Sequence, residues 1–180
     1  MSQFVLFDLD GTLVETDQAN ALAYESALKS YVGTAFQLPV EEGIRVDRSW
    51  LSHRLIGLSD EDWKAVTDLK AERFAQFLDA TVLNLSVFDA LRHCATHQQS
   101  VLLTNASKQR ATQVLQHHGL EEAFEQYLYR EDHGELSKYV SVLNVLGCRQ
   151  EEIAKVYENE LKQSVYAIDA GISSKKIVLV

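Results

Sequence analysis

The stretch that decides the fold is Phe7-Asp8-Leu9-Asp10-Gly11-Thr12-Leu13-Val14. An apolar run, residues 4–7, leads straight into Asp8. Asp8 is therefore expected at the carboxyl end of a central strand, where open α/β sheets bind their ligands. Asp8 and Asp10 are two apart and share a face in extended geometry. Gly11 lets the backbone turn sharply and opens N–H groups to an anion. Asp and Gly also occur at ordinary strand ends as turn residues. Two acids, a Gly and a Thr following an apolar strand without a gap favour a site.

Working outward, five short apolar runs read as strands: residues 4–7, 101–103, 127–129, 154–157 and 177–180. Runs this short, apolar on both faces, fit a parallel sheet covered on both sides. Helix-period segments lie between them. Val87, Leu91 and Cys94 share one face; Val114 and Leu115 lead to Gly119; Val142, Leu143 and Leu146 precede Gly147; Leu161, Val165 and Ile168 precede Gly171. Alternation of this kind indicates right-handed βαβ units. Between the first and second strands the alternation stops. That interval reads as helices over about 17–32, 41–56 and 60–79. Ser59 before Asp60, Glu61 and Asp62 is a good helix start, and Trp63, Val66, Leu69, Phe74 and Phe77 supply an apolar stripe. The expected fold is α/β: a Rossmann-like, five-stranded parallel sheet with helices on both faces, formed by 1–15 and 82–180, plus an all-helical insert, 16–81.

Composition narrows the function. The 180 residues are 46% apolar and 24% charged, enough to bury a core, which excludes a disordered chain. The net charge of −9 repels polyphosphate backbones and argues against nucleic acid as a partner. A small phosphorylated substrate stays open, since it needs only local positive charge or a metal. Cys94 and Cys148 make no disulfide framework, and the opening MSQFVLFDLD does not read as a signal peptide; a cytoplasmic protein is expected. No apolar run is long enough to span a membrane, so no membrane partner is expected. Oligomeric state is left open.

The run Asp8-Leu9-Asp10-Gly11-Thr12 resembles the first motif of the haloacid dehalogenase superfamily. The resemblance implies that Asp8 attacks phosphorus and that Asp10 serves as acid and base, with Gly11 and Thr12 against the substrate. A regenerable carboxylate nucleophile and a second carboxyl group suit that chemistry. Asp10 favours phosphoryl transfer over carbon–halogen cleavage. Val101-Leu102-Leu103-Thr104-Asn105 is similar to the second motif and implies that Thr104 and the Asn105 backbone hold the phosphoryl group. Lys138, opening a helix, matches the family's lysine; Lys108 competes for that role but follows the second strand too closely. Tyr139-Val140 stands where the family commonly has a proline-containing stretch. Glu158-Asn159-Glu160-Leu161-Lys162-Gln163 resembles the metal-binding loop, with Asn159 and Gln163 in place of the two expected Asp residues. The implied cofactor is Mg²⁺, held by Asp8, Asp10, Glu158 and Asn159.

The insert resembles the helical cap of the beta-phosphoglucomutase-like phosphatases, and Arg54 or Arg48 in it is the candidate contact for an anionic part of a substrate. Arg on a helix also serves simply as a solvated or packed side chain. His117 and His118 suit a helix end, and Trp50 and Trp63 the insert's core. The resulting expectation is a Mg²⁺-dependent phosphatase of a small phosphomonoester. A weakened or inactive relative that binds a phosphorylated metabolite or a protein is the first alternative, a phosphomutase the second. A phosphorylated receiver domain is disfavoured, because receivers carry their Asp after a later strand and have no helical insert.

Overall fold

All five apolar runs form strands in the computed structural model, which describes residues 3–38, 45–55, 57–94 and 97–180. In chain order come β1 (Gln3–Phe7), β2 (Val14–Glu15), α1 (Asp17–Val32), α2 (Arg48–Ser52), α3 (Asp60–Arg73), a 3₁₀ stretch (Phe74–Ala80) and β3 (Val82–Leu83). Then follow α4 (Leu85–Arg92), β4 (Gln98–Leu103), α5 (Lys108–His117), β5 (Gln126–Leu128), α6 (Arg130–His133), α7 (Lys138–Leu146), β6 (Ile153–Glu158), α8 (Leu161–Asp169) and β7 (Ile177–Leu179). The main sheet is parallel, in the order β5-β4-β1-β6-β7; β2 and β3 form a separate two-stranded sheet.

β1 is central, and both of its faces are covered. Phe4 and Leu6 join a core with Val101, Leu103, Leu128, Val142, Ile153 and Val156. On the alternate positions Phe7 stacks on Tyr157 at 4.8 Å and tilts against Phe124 at 5.8 Å. That two-sided burial is why the strand reads as a continuous apolar run.

The pairing of β1 with β6 contains a bulge. Phe4 faces Ile153 but Val5 faces Lys155, so Ala154 is the extra residue. From there Phe7 faces Tyr157, and Asp8 N–H donates to the Tyr157 carbonyl at 3.1 Å. One inserted residue reverses which side chains face which side. Here it places Glu158 beside Asp8.

The chain divides into two compact units, Met1–Glu15 with Leu83–Val180, and Thr16–Val82. The second unit is helical. Its core gathers Ala21, Tyr24, Ala27, Leu28, Leu51, Trp63 and Val66. The Ser59 start forms as a full capping box: its hydroxyl accepts from Asp62 N–H, and Asp62 accepts in return. Three expectations need correction. The helix expected over 41–56 is only α2 among the described residues; residues 39–44 and 56 lie outside them. Asp47 accepts from Trp50 N–H at 2.7 Å and so starts that helix late. The helix expected over 60–79 tightens to 3₁₀ after Arg73, with Phe77 off helical angles. In α8 the predicted stripe of Leu161, Val165 and Ile168 is exposed, while Ser164 and Ala167 face inward. Ala167 there packs into the core with Ile153, Val156 and Ile172.

Candidate active site

The site forms at the carboxyl ends of β1, β4 and β6. Leu9 O receives Leu13 N–H and Val14 N–H, both at 3.0 Å, curling the chain directly after Asp8. Gly11 sits at φ +78 inside this turn. A Cβ there would stand 2.0 Å from Asn159 Nδ2, so glycine is favoured by its angle, and any larger residue would also displace the Asn159 amide.

Asp8, Thr12, Lys138, Glu158 and Asn159 meet directly. Lys138, the first residue of α7, is brought in by the Ser137 cap, whose hydroxyl accepts from Val140 N–H. Its Nζ lies 2.7 Å from Asp8 Oδ1 and 2.8 Å from Glu158 Oε2. The Lys138 and Glu158 side chains are each 1% exposed, so this is a sealed ion-pair network. Glu158 Oε2 also receives Tyr139 O–H at 2.7 Å, and Oε1 receives the N–H groups of Asn159 and Glu160 at 3.0 and 3.2 Å. Glu158 thus spends both oxygens holding the lysine and the loop. Thr12 Oγ1 lies 3.3 Å from Asp8 Oδ2 and 3.4 Å from Asn159 Oδ1.

Burial pushes the Asp8 carboxyl up to about 7; Lys138 opposes this, and the charges of Glu158 and Asp10 add to it. For Lys138, burial works to lower the pKa, but the Asp8 and Glu158 carboxylates outweigh it and hold the ammonium above its ordinary range. Burial and Glu158 both raise the Tyr139 hydroxyl.

Thr104 is buried at the tip of β4, and its hydroxyl accepts Ala106 N–H at 3.0 Å, leaving its own hydrogen to donate. Its carbonyl lies 2.9 Å from His133 Nε2. A carbonyl only accepts, so Nε2 carries the proton. Asn105 is exposed and, with Ser137, Lys138, Gln163 and Tyr166, lines a cavity of about 370 Å³. Asp10 Oδ1 accepts from Arg110 Nη2 at 2.8 Å. Arg54 belongs to the other unit, where its guanidinium stacks over Trp50 at 3.9 Å.

Sequence reasoning missed Arg110, Tyr139, His133 and the bracing role of Glu158. Arg110 carried one signal: a cation in the first turn of a helix opposes the dipole.

No cluster of three or more His, Cys, Asp or Glu able to hold a metal forms among the described residues. Asp8 Oδ2 and Asn159 Oδ1 nevertheless flank one hydroxyl from two different loops. Hard oxygens of this kind suit a hard divalent cation, with a neutral amide in place of a second charge.

A buried lysine bridging acids at the switch point of a parallel sheet defines an α/β enzyme built to handle an anion. The family model described as haloacid dehalogenase-like hydrolase matches residues 5–174, and the chain belongs to that family, whose members generally use a divalent metal. No curated protein matches it in sequence. Among solved structures, it is similar to a HAD-superfamily hydrolase of subfamily IA, variant 1, from Geobacter sulfurreducens PCA, at 17% identity and TM-score 0.72, over 99% of this chain and 86% of that one. A proposed phosphoglycolate phosphatase from Lactobacillus plantarum shares 11% identity, with TM-score 0.75 over 96% of this chain and 84% of that one. A proposed beta-phosphoglucomutase from Thermotoga maritima shares 22%, with TM-score 0.66 over 97% and 83%. At these identities the likeness concerns the fold. No helix among the described residues is long and apolar enough to cross a membrane.

Proposed function

We propose that this hydrolase is a Mg²⁺-dependent phosphatase of a small, soluble phosphomonoester, working in the cytoplasm through an aspartyl phosphate on Asp8. The observation that carries the reading is the Lys138–Asp8 contact of 2.7 Å at the sheet's carboxyl end, beside the Thr104 turn. Such a lysine offsets the charge of both the nucleophile and an arriving phosphoryl group.

Asp8 attacks phosphorus, the bond from phosphorus to the ester oxygen breaks, and Asp10 gives that oxygen a proton. Water then attacks the same phosphorus, Asp10 takes its proton, and the bond to Asp8 breaks, releasing inorganic phosphate and restoring both acids. Thr104, the Asn105 backbone and Lys138 hold the phosphoryl oxygens. Asp8, the Asp10 carbonyl and Asn159 would hold Mg²⁺, which when bound supplies charge neutralisation between two anions. Glu158 braces Lys138. The cavity next to Lys138 is of a size that suits a small metabolite. The helical unit is read as the family's cap, with Arg54 as its candidate contact to substrate.

The test is a screen of phosphorylated metabolites with Mg²⁺, run beside Asp8→Asn. Turnover by the unaltered protein and none by the variant supports the reading. Equal turnover by both removes Asp8 from the mechanism. No turnover by a folded protein favours a phosphometabolite-binding relative instead.

A further inference from the structure

Arg110 stands at the third position of α5, behind the Ser107 cap, whose hydroxyl accepts the Arg110 N–H at 3.3 Å. The first turn of α5 holds two cations, Lys108 and Arg110, and no acid. A cation at the positive end of a helix dipole is locally unfavourable. Residues that break a local rule mark sites where something else compensates. For Arg110 the compensation is Asp10, 100 residues earlier, whose Oδ1 accepts from Nη2 at 2.8 Å. The two side chains are only 20% and 11% exposed, so the pair is poorly screened. The segment that leaves β4 through Thr104 and enters α5 therefore delivers a guanidinium to the second acid of the turn after β1.

The surrounding charges give this contact a purpose. With all three ionised, Asp8, Asp10 and Glu158 would put three negative charges together; Lys138 bridges Asp8 and Glu158, and Arg110 meets Asp10 at Oδ1, leaving Oδ2 as the oxygen that carries or takes the proton. The charge of Asp10 is felt at Asp8. A carboxylate gripped through one oxygen also has the direction of its other oxygen fixed.

We propose that Arg110 is a positioning residue for Asp10, gripping Oδ1 so that Oδ2 faces the ester oxygen and then the attacking water. This rests on the phosphatase reading above and adds to it a residue that the motifs do not supply. Arg110 acts through Asp10 and not on the substrate, so its loss slows turnover and leaves substrate binding nearly unchanged.

The experiment is a double-mutant cycle on the full chain, with para-nitrophenyl phosphate and Mg²⁺ as the probe. Arg110→Gln is expected to lower kcat by about 30-fold or more, part of the roughly 100- to 10,000-fold that an acid–base group typically contributes, with KM changed less than about threefold. Arg110→Lys should recover at least part of the loss. In an Asp10→Asn background, Arg110→Gln should cost less than about twofold, because there is no longer an acid to position. Thermal melts confirm that each variant folds; where Arg110→Gln does not, Arg110→Met takes its place in the cycle. Full additivity with Asp10→Asn, or an effect confined to KM, overturns the inference while leaving the phosphatase reading intact. No turnover by the unaltered protein overturns both.

Discussion

Lys138 Nζ and Asp8 Oδ1 lie 2.7 Å apart, with 1% and 9% of their side chains exposed, although 130 residues separate them in the chain. Two opposite charges sealed this tightly depend on each other. Removing one partner of such a pair typically costs about 3–5 kcal/mol, because the other is left buried and uncompensated. Lys138→Met is expected to lower unfolding stability by that amount at neutral pH and to abolish turnover. Urea unfolding followed by circular dichroism checks the first, and a phosphate-release assay the second.

Asp8 also predicts a pH dependence of stability. Its carboxyl is raised from 3.8 in the unfolded chain to about 7 in the folded one. Between those values the folded state binds the extra proton, so the Asp8 contribution to stability is present at low pH and lost as pH rises from about 4 to about 7. Asp8→Asn removes this contribution. In EDTA, the stability difference between Asp8→Asn and the unaltered protein should grow over that interval and stay level above it, as read by urea midpoints from pH 5 to 8.5.

Gly11→Ala combines a positive φ with a Cβ placed 2.0 Å from Asn159 Nδ2. A loss of about 1–3 kcal/mol is expected from the backbone angle and the displaced amide. Differential scanning calorimetry measures it; an unchanged melting temperature would contradict the close packing of the two loops.

Tyr139→Phe deletes one of the four donors to Glu158 and leaves its ring in the core. The expected cost is about 1–2 kcal/mol, with turnover lowered far less than by Lys138→Met, since Lys138 still bridges the two acids. Chemical denaturation and steady-state kinetics on the same preparation separate the two effects.

Asn159→Asp restores a charge at the oxygen that flanks Thr12 opposite Asp8. Mg²⁺ should bind about tenfold tighter or better, since one added charge contact is worth on the order of a few kcal/mol before discounting for solvent. Isothermal titration calorimetry in the absence of substrate reads this directly.

The sequence by itself determined the five strands of the parallel sheet, the helical stretch between the first two of them, and the start of α7 at Lys138; the two-residue strands β2 and β3 were not legible in it. Each depends on local physics: short apolar runs buried on two faces, Ser59 and Ser137 as caps, Gly147 in the left-handed conformation as a stop. The Asp8–Asp10 turn was legible for the same reason, since its acids and Gly11 are contiguous. Tertiary structure alone decided the rest. The bulge at Ala154 carries no residue signature, yet it sets Glu158 beside Asp8 and so makes it the brace for Lys138. Tyr139 was legible only as a departure from the family's proline-containing stretch; that its hydroxyl meets Glu158 was not. In α8, Leu161, Val165 and Ile168 have the spacing of a buried stripe, but they are exposed, and small Ser164 and Ala167 take the inner face, Ala167 within the sheet's core. Arg110 finds Asp10 only because β4 lies next to β1 in the sheet, a pairing that spans about half the chain and leaves no trace in local spacing.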